Sequence, residues 1–263
     1  SLFGWTMDIV NNKFTEMTSL NNAAGDYGLI GMWLGASATV AAPVRPVYNV
    51  CNNMIANFSF PGNNAVRDET YKGINLVAEY TDFNIFNNSI DMVEQPRLTA
   101  GTRGRTFAIG ATSVTAGSQI KNIKNNIIRY GVADGANAYA LYSPIATGIN
   151  SDFNNIYIYS ATNQFAYVGT TSCADLSAWQ TQTATVGAMQ DVHTSVIDPS
   201  TFWVSGSDLH IAGAASYNVA LSAPVLAGVA TDIDGEARFG KTYKGCDEKA
   251  ASDAGPTLYM PDT

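Results

Sequence analysis

Charge is scarce in this chain: charged residues make up 14% of its 263 residues, against about 25% in an ordinary soluble domain. Cations are scarcer than anions, 14 Lys and Arg against 22 Asp and Glu, for a formal net charge of −8. This balance excludes a general nucleic-acid binder, whose affinity comes from clustered cations on phosphates. No apolar run approaches the ~20 residues that span a bilayer, so no membrane insertion is expected. Cysteine is limited to Cys51, Cys173 and Cys246, without a Cys-x-x-Cys pair, and that spacing excludes metal-finger and thioredoxin-like motifs. Two readings of the thiols stay open, a Cys173–Cys246 disulfide in an oxidising compartment or three thiols packed as small hydrophobes. The first residues, Ser1-Leu2-Phe3-Gly4-Trp5, carry neither an initiator Met nor the charged-then-apolar form of a signal peptide. The sequence therefore reads as an excised piece of a larger polypeptide.

What the chain has is hydrophobicity, 46%, which excludes disorder, and asparagine. Of 23 Asn, 22 fall at or before Asn163, and only Asn218 lies beyond. Asn pairs recur inside short apolar stretches: Asp8-Ile9-Val10-Asn11-Asn12-Lys13-Phe14, Asn49-Val50-Cys51-Asn52-Asn53-Met54-Ile55, Asn84-Ile85-Phe86-Asn87-Asn88-Ser89-Ile90 and Asn122-Ile123-Lys124-Asn125-Asn126-Ile127-Ile128. A fifth stretch, Asn155-Ile156-Tyr157-Ile158-Tyr159, keeps the strand and loses the pair. The leading aliphatic advances through positions 9, 50, 85, 123 and 156, steps of 41, 35, 38 and 33 residues.

A second β-forming stretch accompanies each repeat: 28–34, 73–78, 106–110, 138–142 and 165–169. All are bounded by turn formers. No segment shows 3.6-residue periodicity over three turns, so the chain reads as all-β. Two short strands and an Asn-Asn corner cannot bury their apolar face alone, but stacked coils can. Asn suits the corner because it tolerates the left-handed conformation, and stacked amides can bond along the axis. The expected fold is a parallel β-helix, one Asn of each pair (Asn12, Asn53, Asn88, Asn126) turning inward as a ladder and the other holding the bend. Its coils occupy 1–190, a closing segment 191–248, and a linker 249–263.

The closing segment runs Asp198-Pro199, Phe202-Trp203-Val204, Asp208-Leu209-His210-Ile211, Ala223-Pro224 and Thr231-Asp232-Ile233-Asp234-Gly235-Glu236-Ala237-Arg238, ending in Gly245-Cys246-Asp247-Glu248. This order resembles the end of right-handed parallel β-helix domains in large secreted bacterial surface proteins of the Bacteroidetes type. Ala223-Pro224 stands where that family has Ser-Pro, and Cys246 where it has Ala. The likeness covers 196–248 by motif and 8–170 by repeat style only. It implies a right-handed β-helix, a secreted or cell-surface location, and an origin within a larger polypeptide. Because a β-helix stack ends in an open layer of core side chains and unpaired strand amides, the segment 196–248 is expected to pack across the final coil, with Phe202, Trp203, Leu209, Ile211, Val225 and Ile233 on its apolar edge.

Signatures of chemistry are few. The polygalacturonase-like set of Asn-Thr-Asp, Asp-Asp, Gly-His-Gly and Arg-Ile-Lys is missing, as is the pectate-lyase-like Arg-x-Pro-x-x-Arg. Cations are densest at Lys121, Lys124 and Arg129 with Arg97, Arg103 and Arg105, the place for a lyase acting beside a uronate carboxylate. His193 and His210 lack the motif that would accompany a Ser-His-Asp triad. Asp232 and Asp234 read as a turn at Asp234-Gly235, with Asp232 bonding backbone amides, rather than as a calcium loop. Tyr139, Tyr142, Tyr157, Tyr159 and Tyr167 are candidates to stack on sugar rings, with the Tyr157–Tyr159 face the first place to look. The expectation is a structural or adhesive module contacting surface polysaccharide, with no catalytic centre, cofactor or metal. A polysaccharide lyase and a phage-type fibre are its rivals.

Overall fold

The computed structural model describes residues 4–17, 28–35, 45–58, 66–93, 102–103, 105–112, 119–132, 137–212 and 218–248. The chain is mostly β, and successive strands fall in a repeating order. A first round gives β1 (Thr6–Val10), β2 (Lys13–Thr15) and β3 (Gly28–Leu34). The next gives β4 (Val47–Cys51), β5 (Met54–Ala56) and β6 (Val66–Leu76), and the third β7 (Thr81–Phe86), β8 (Ser89–Val93), the two-residue β9 (Thr102–Arg103) and β10 (Thr106–Ala111). A fourth contributes β11 (Gln119–Lys124), β12 (Ile127–Gly131) and β13 (Ala138–Ser143), and a fifth β14 (Ile149–Asp152), β15 (Asn155–Ile158) and β16 (Gln164–Val168). Like strands pair in parallel, giving three sheets: β1-β4-β7-β11-β14, β2-β5-β8-β12-β15 and β3-β6-β10-β13-β16.

Register puts like residues in layers. Val50, Ile85 and Ile123 align in the first sheet, Ile55, Ile90, Ile128 and Ile156 in the second, and Met32, Ile74, Ile109, Leu141 and Ala166 in the third. All belong to one core. Each such aliphatic contributes ~1.5–3 kcal/mol on burial.

The corner between the first two sheets is built from the Asn pairs. The first member is left-handed at Asn11, Asn52, Asn87 and Asn125, with φ of 57°, 54°, 51° and 58°. The second member turns inward. Asn12 donates through Nδ2 to Asn53 Oδ1 (3.0 Å), Asn53 to Asn88 (2.9 Å), Asn88 to Asn126 (3.0 Å) and Asn126 to Asn154 (3.0 Å). Each backbone amide of the donors bonds the same oxygen at 2.9–3.1 Å. The fifth repeat is thus framed differently from the sequence reading. Ile156 aligns with Ile128, and Ser151 holds the place of Ile123, a step of 28 residues at the ladder. Phe153 occupies the left-handed position at φ 56°, a strained place for a bulky residue. Its ring stacks on His193 at 4.5 Å.

After β16 the chain reverses into antiparallel β17 (Thr171–Cys173) and then the helix α1 (Leu176–Val186). The Asp175 carboxylate caps α1, accepting from Ala178 N at 2.8 Å. Trp179 lies buried in the core beside Leu176 and Ala178. This helix, which the periodicity did not predict, packs against β16 and β17.

The C-terminal segment does not lie across the final coil. It runs beside the stack, against the Asn corner and the outer face of the second sheet. Met54, Ala56 and Ile127 pack with Phe202, Trp203, Leu209, Ile211, Leu221, Ile233, Tyr243 and Cys246 in a second core. Val225 is outside that cluster, and Val229 is buried instead. The left-handed asparagines reach it through their side chains: Asn52 Nδ2 donates to Thr231 O, Asn87 to Tyr243 O and Asn125 to Pro224 O. Its short strands β18 (Ser222–Pro224) and β19 (Lys241–Tyr243) pair antiparallel. Arg238, fully buried, spends its guanidinium on Asn52 Oδ1, Gly245 O, Tyr243 O, Thr231 O, Thr242 Oγ1 and Glu248. Lys244 Nζ reaches back to Asn154 O, Ser195 Oγ and Ala220 O. The three cysteines are free and buried, so the disulfide is not formed. Residues 249–263, read as a linker, lie outside the described residues.

Candidate functional site

The cationic group singled out from sequence is not brought together. Lys121 points into the core, 2% exposed, and donates to Thr147 O at 3.2 Å. Lys124 faces outward on the same strand. Arg129 stands on the outer face of the second sheet, paired with Asp91 (3.4 Å) and Asp198 (3.3 Å) and lying 4.9 Å over the Tyr159 ring. Burial pushes the Asp91 carboxyl up to about 6 against the pull of Arg129. Arg105 is on the third sheet, and Arg97 and the Arg103 side chain lie outside the described residues. No lyase centre is assembled by these groups among the described residues.

Lys121 carries a pH-dependent cost. Burial, with the Arg45 charge second, pushes it down to about 8 from 10.5. Below about pH 8 it is charged in the core and the cost is full. Between about 8 and 10.5 the unfolded chain holds a proton that the folded chain has lost, so stability rises with pH there. Lys121→Met should therefore raise stability by about 1–3 kcal/mol at pH 7 in urea unfolding and flatten the rise above pH 8. A loss of stability at pH 7 would contradict this assignment.

The tyrosines divide. Tyr157 and Tyr159 lie on the second sheet beside Arg129, whereas Tyr139, Tyr142 and Tyr167 join Phe107 in a cluster of their own on the third sheet. Phe107 stacks on Tyr142 at 5.5 Å and Tyr142 on Tyr167 at 5.0 Å. This is possible because a Cβ on Gly110 would stand 2.6 Å from the Phe107 ring. The rings therefore use their faces on one another and form a rigid base, not open platforms.

That base belongs to a row that sequence reasoning missed. Across the third sheet Trp33 aligns with Asn75, Gly110, Tyr142 and Tyr167, one position per coil. Four strand spacings of about 4.8 Å make the row ~19 Å long. Trp33 is 61% exposed. Asn75 and Tyr142 are buried, yet Asn75 Nδ2 and Tyr142 Oη have no hydrogen-bond partner. A buried orphan polar group costs about 1–3 kcal/mol, so two in one row are unusual. Lys72, in the neighbouring row with Phe107 and Tyr139, lies 5.3 Å over the Phe107 ring, and exposed Arg105 lies 5.4 Å over Tyr142. Neither pairs with a carboxylate among the described residues. Trp33 and Lys72 sit in repeats 35 to 42 residues apart from their counterparts, and only the register joins them to the tyrosines.

The remaining polar clusters are occupied by the protein itself. On the outer face of the first sheet a second ladder runs opposite to the first: Asn150 donates to Asn122, Asn122 to Asn84, Asn84 to Asn49 and Asn49 to Asp8, at 2.7–2.9 Å. His210 bonds Asp208 through Nδ1 and lies 2.9 Å from Asp234 through Nε2, with Asp247 close by. The Lys13 ammonium approaches the same nitrogen at 3.2 Å and Asp234 at 3.7 Å, supplying the cation there and tying the C-terminal segment to the first coil. Asp232 accepts from Asp234 N, Glu236 N and Glu248 N, fixing the turn at Gly235. His193 bonds Asp152 at 2.8 Å and is half-exposed on the Phe153 ring.

The chain matches no protein-family model, no curated protein and no solved structure.

Proposed function

We propose that the chain is a right-handed parallel β-helix serving as a rigid extracellular module of a larger bacterial surface protein, and that it holds glycans along the outer row of its third sheet. The recurrence of one strand per sheet per round, with inward Asn amides bonded from each round to the next, supports the solenoid. The observation that carries the glycan reading is the row Trp33–Asn75–Gly110–Tyr142–Tyr167, where an exposed indole lies in line with two unsatisfied buried polar atoms. Sugars offer an apolar ring face for the exposed indole and polar groups for the Lys72 and Arg105 cations beside the row.

The lyase reading has less support, because Lys121 is enclosed and Arg129 is tied to two carboxylates. The fibre reading has no observation in its favour. A glycan array probed with the intact protein, beside assays for unsaturated and reducing ends, separates these readings. Retention of specific glycans without new chain ends is expected. Chain cleavage abolished by Lys124→Ala or Arg129→Ala would replace the adhesive reading with the lyase.

A further inference from the structure

Resting on the glycan reading above, we propose that the third-sheet row selects uronate-bearing polysaccharides over neutral ones through Lys72 and Arg105.

In a chain of net charge −8, most of the other cations among the described residues are committed, Lys124 and Lys241 excepted. Arg45 pairs with Asp82, Arg129 with Asp91 and Asp198, Arg238 with Glu248, and Lys13 lies against Asp234. Lys72 and Arg105 are different. They stand over adjacent rings of one stack, with aromatic faces beneath them and no carboxylate paired with them among the described residues. Each also repels the other: burial and then the Arg105 charge hold the Lys72 ammonium below its ordinary value. An anion seated between them relieves both effects. The surrounding groups restrict what carries that anion. Trp33, 61% exposed, adds an apolar face in line with them, so the row asks for a ligand that carries anions on rings with apolar faces. That is the chemistry of a sugar chain with one carboxylate per ring. A nucleic acid is held by a longer run of cations than two.

Titration calorimetry of the intact protein with tetragalacturonate, its full methyl ester and a single-stranded oligonucleotide tests this. The ester keeps the ring shape and removes the charge. Tetragalacturonate should bind about tenfold more tightly than the ester, an advantage that salt erodes. Arg105→Gln, at an exposed position, should remove most of that advantage and leave ester binding in place. Lys72→Gln should do the same, with its melting temperature checked beside it. Equal affinity for acid and ester overturns the selectivity and leaves the glycan site standing. Loss of both ligands overturns the glycan reading itself. Oligonucleotide binding as tight as tetragalacturonate also overturns the proposal, since the face would then answer to charge alone.

Discussion

A chain ending at Ile197 is expected to lose its cooperative melting transition and to aggregate. The segment it lacks carries Phe202, Trp203, Leu209, Ile211, Leu221, Ile233 and Tyr243, which share a core with Met54 and Ile127 of the second sheet. Large apolar side chains contribute ~1.5–3 kcal/mol each when buried, and a whole domain is stable by only about 5–15 kcal/mol. Removing them uncovers the sheet and strips partners from Asn52, Asn87 and Asn125. Because such a product will be hard to handle, Arg238→Ala gives a graded version of the same test. It leaves Asn52 Oδ1 and Gly245 O without a donor and Glu248 without its cation, and should cost about 3–5 kcal/mol. Sedimentation and thermal melting decide the matter. A monomeric truncated chain with an unchanged melting temperature would mean that this segment is no part of the stabilising structure.

Asp191→Ala should be nearly as damaging, for a different reason. All the amides of the inner ladder donate in one direction, so the last, on Asn154, besides Ile123 O and Ser151 Oγ, turns to an acceptor beyond the five rounds. Asp191 provides it. Its carboxylate accepts from Asn154 Nδ2 at 3.0 Å, Thr194 Oγ1 at 2.6 Å and Trp179 Nε1 at 2.8 Å, with no solvent exposure. The residue thereby joins the ladder, the helix α1 and the chain leading out of it. Burial raises its carboxyl above the ordinary value, and these hydrogen bonds oppose the rise. Alanine removes the sole acceptor of buried Trp179 Nε1 and one acceptor each from Asn154 Nδ2 and Thr194 Oγ1, at about 2–4 kcal/mol or roughly 10 °C in melting temperature for a chain of this size. Asp191→Asn keeps the shape but sets its own amide against a donor, so it should fall between alanine and the native chain. Native stability in Asp191→Ala by denaturant unfolding would show that the ladder needs no terminal acceptor.

The ladder was legible because local chemistry repeats: a left-handed Asn followed by an inward Asn needs no distant partner to be recognised. The framing of the fifth repeat was not, since Phe153 takes a left-handed place that nothing local favours and Ser151 stands for the usual aliphatic. The C-terminal motifs announced a closing element, but its position depends on pairs such as Arg238 with Asn52, separated by 186 residues. The helix α1 carries one large core residue, Trp179, within a polar run, too little for a helical stripe. Lys121 looked like part of a cationic surface because alternation along its strand, not composition, turns it inward. The third-sheet row was invisible for the same kind of reason. Trp33, Asn75 and Tyr142 share no motif, and only loops of unequal length bring them into register.

The central claim, a glycan held along the third sheet, is tested most directly by the glycan array probed with the native chain, Trp33→Ala and Tyr159→Ala on the same surface. Binding of the native chain to acidic oligosaccharides, lost in Trp33→Ala and retained in Tyr159→Ala, is the predicted result. Binding that survives Trp33→Ala and vanishes with Tyr159→Ala would place the glycan on the second sheet and contradict the account.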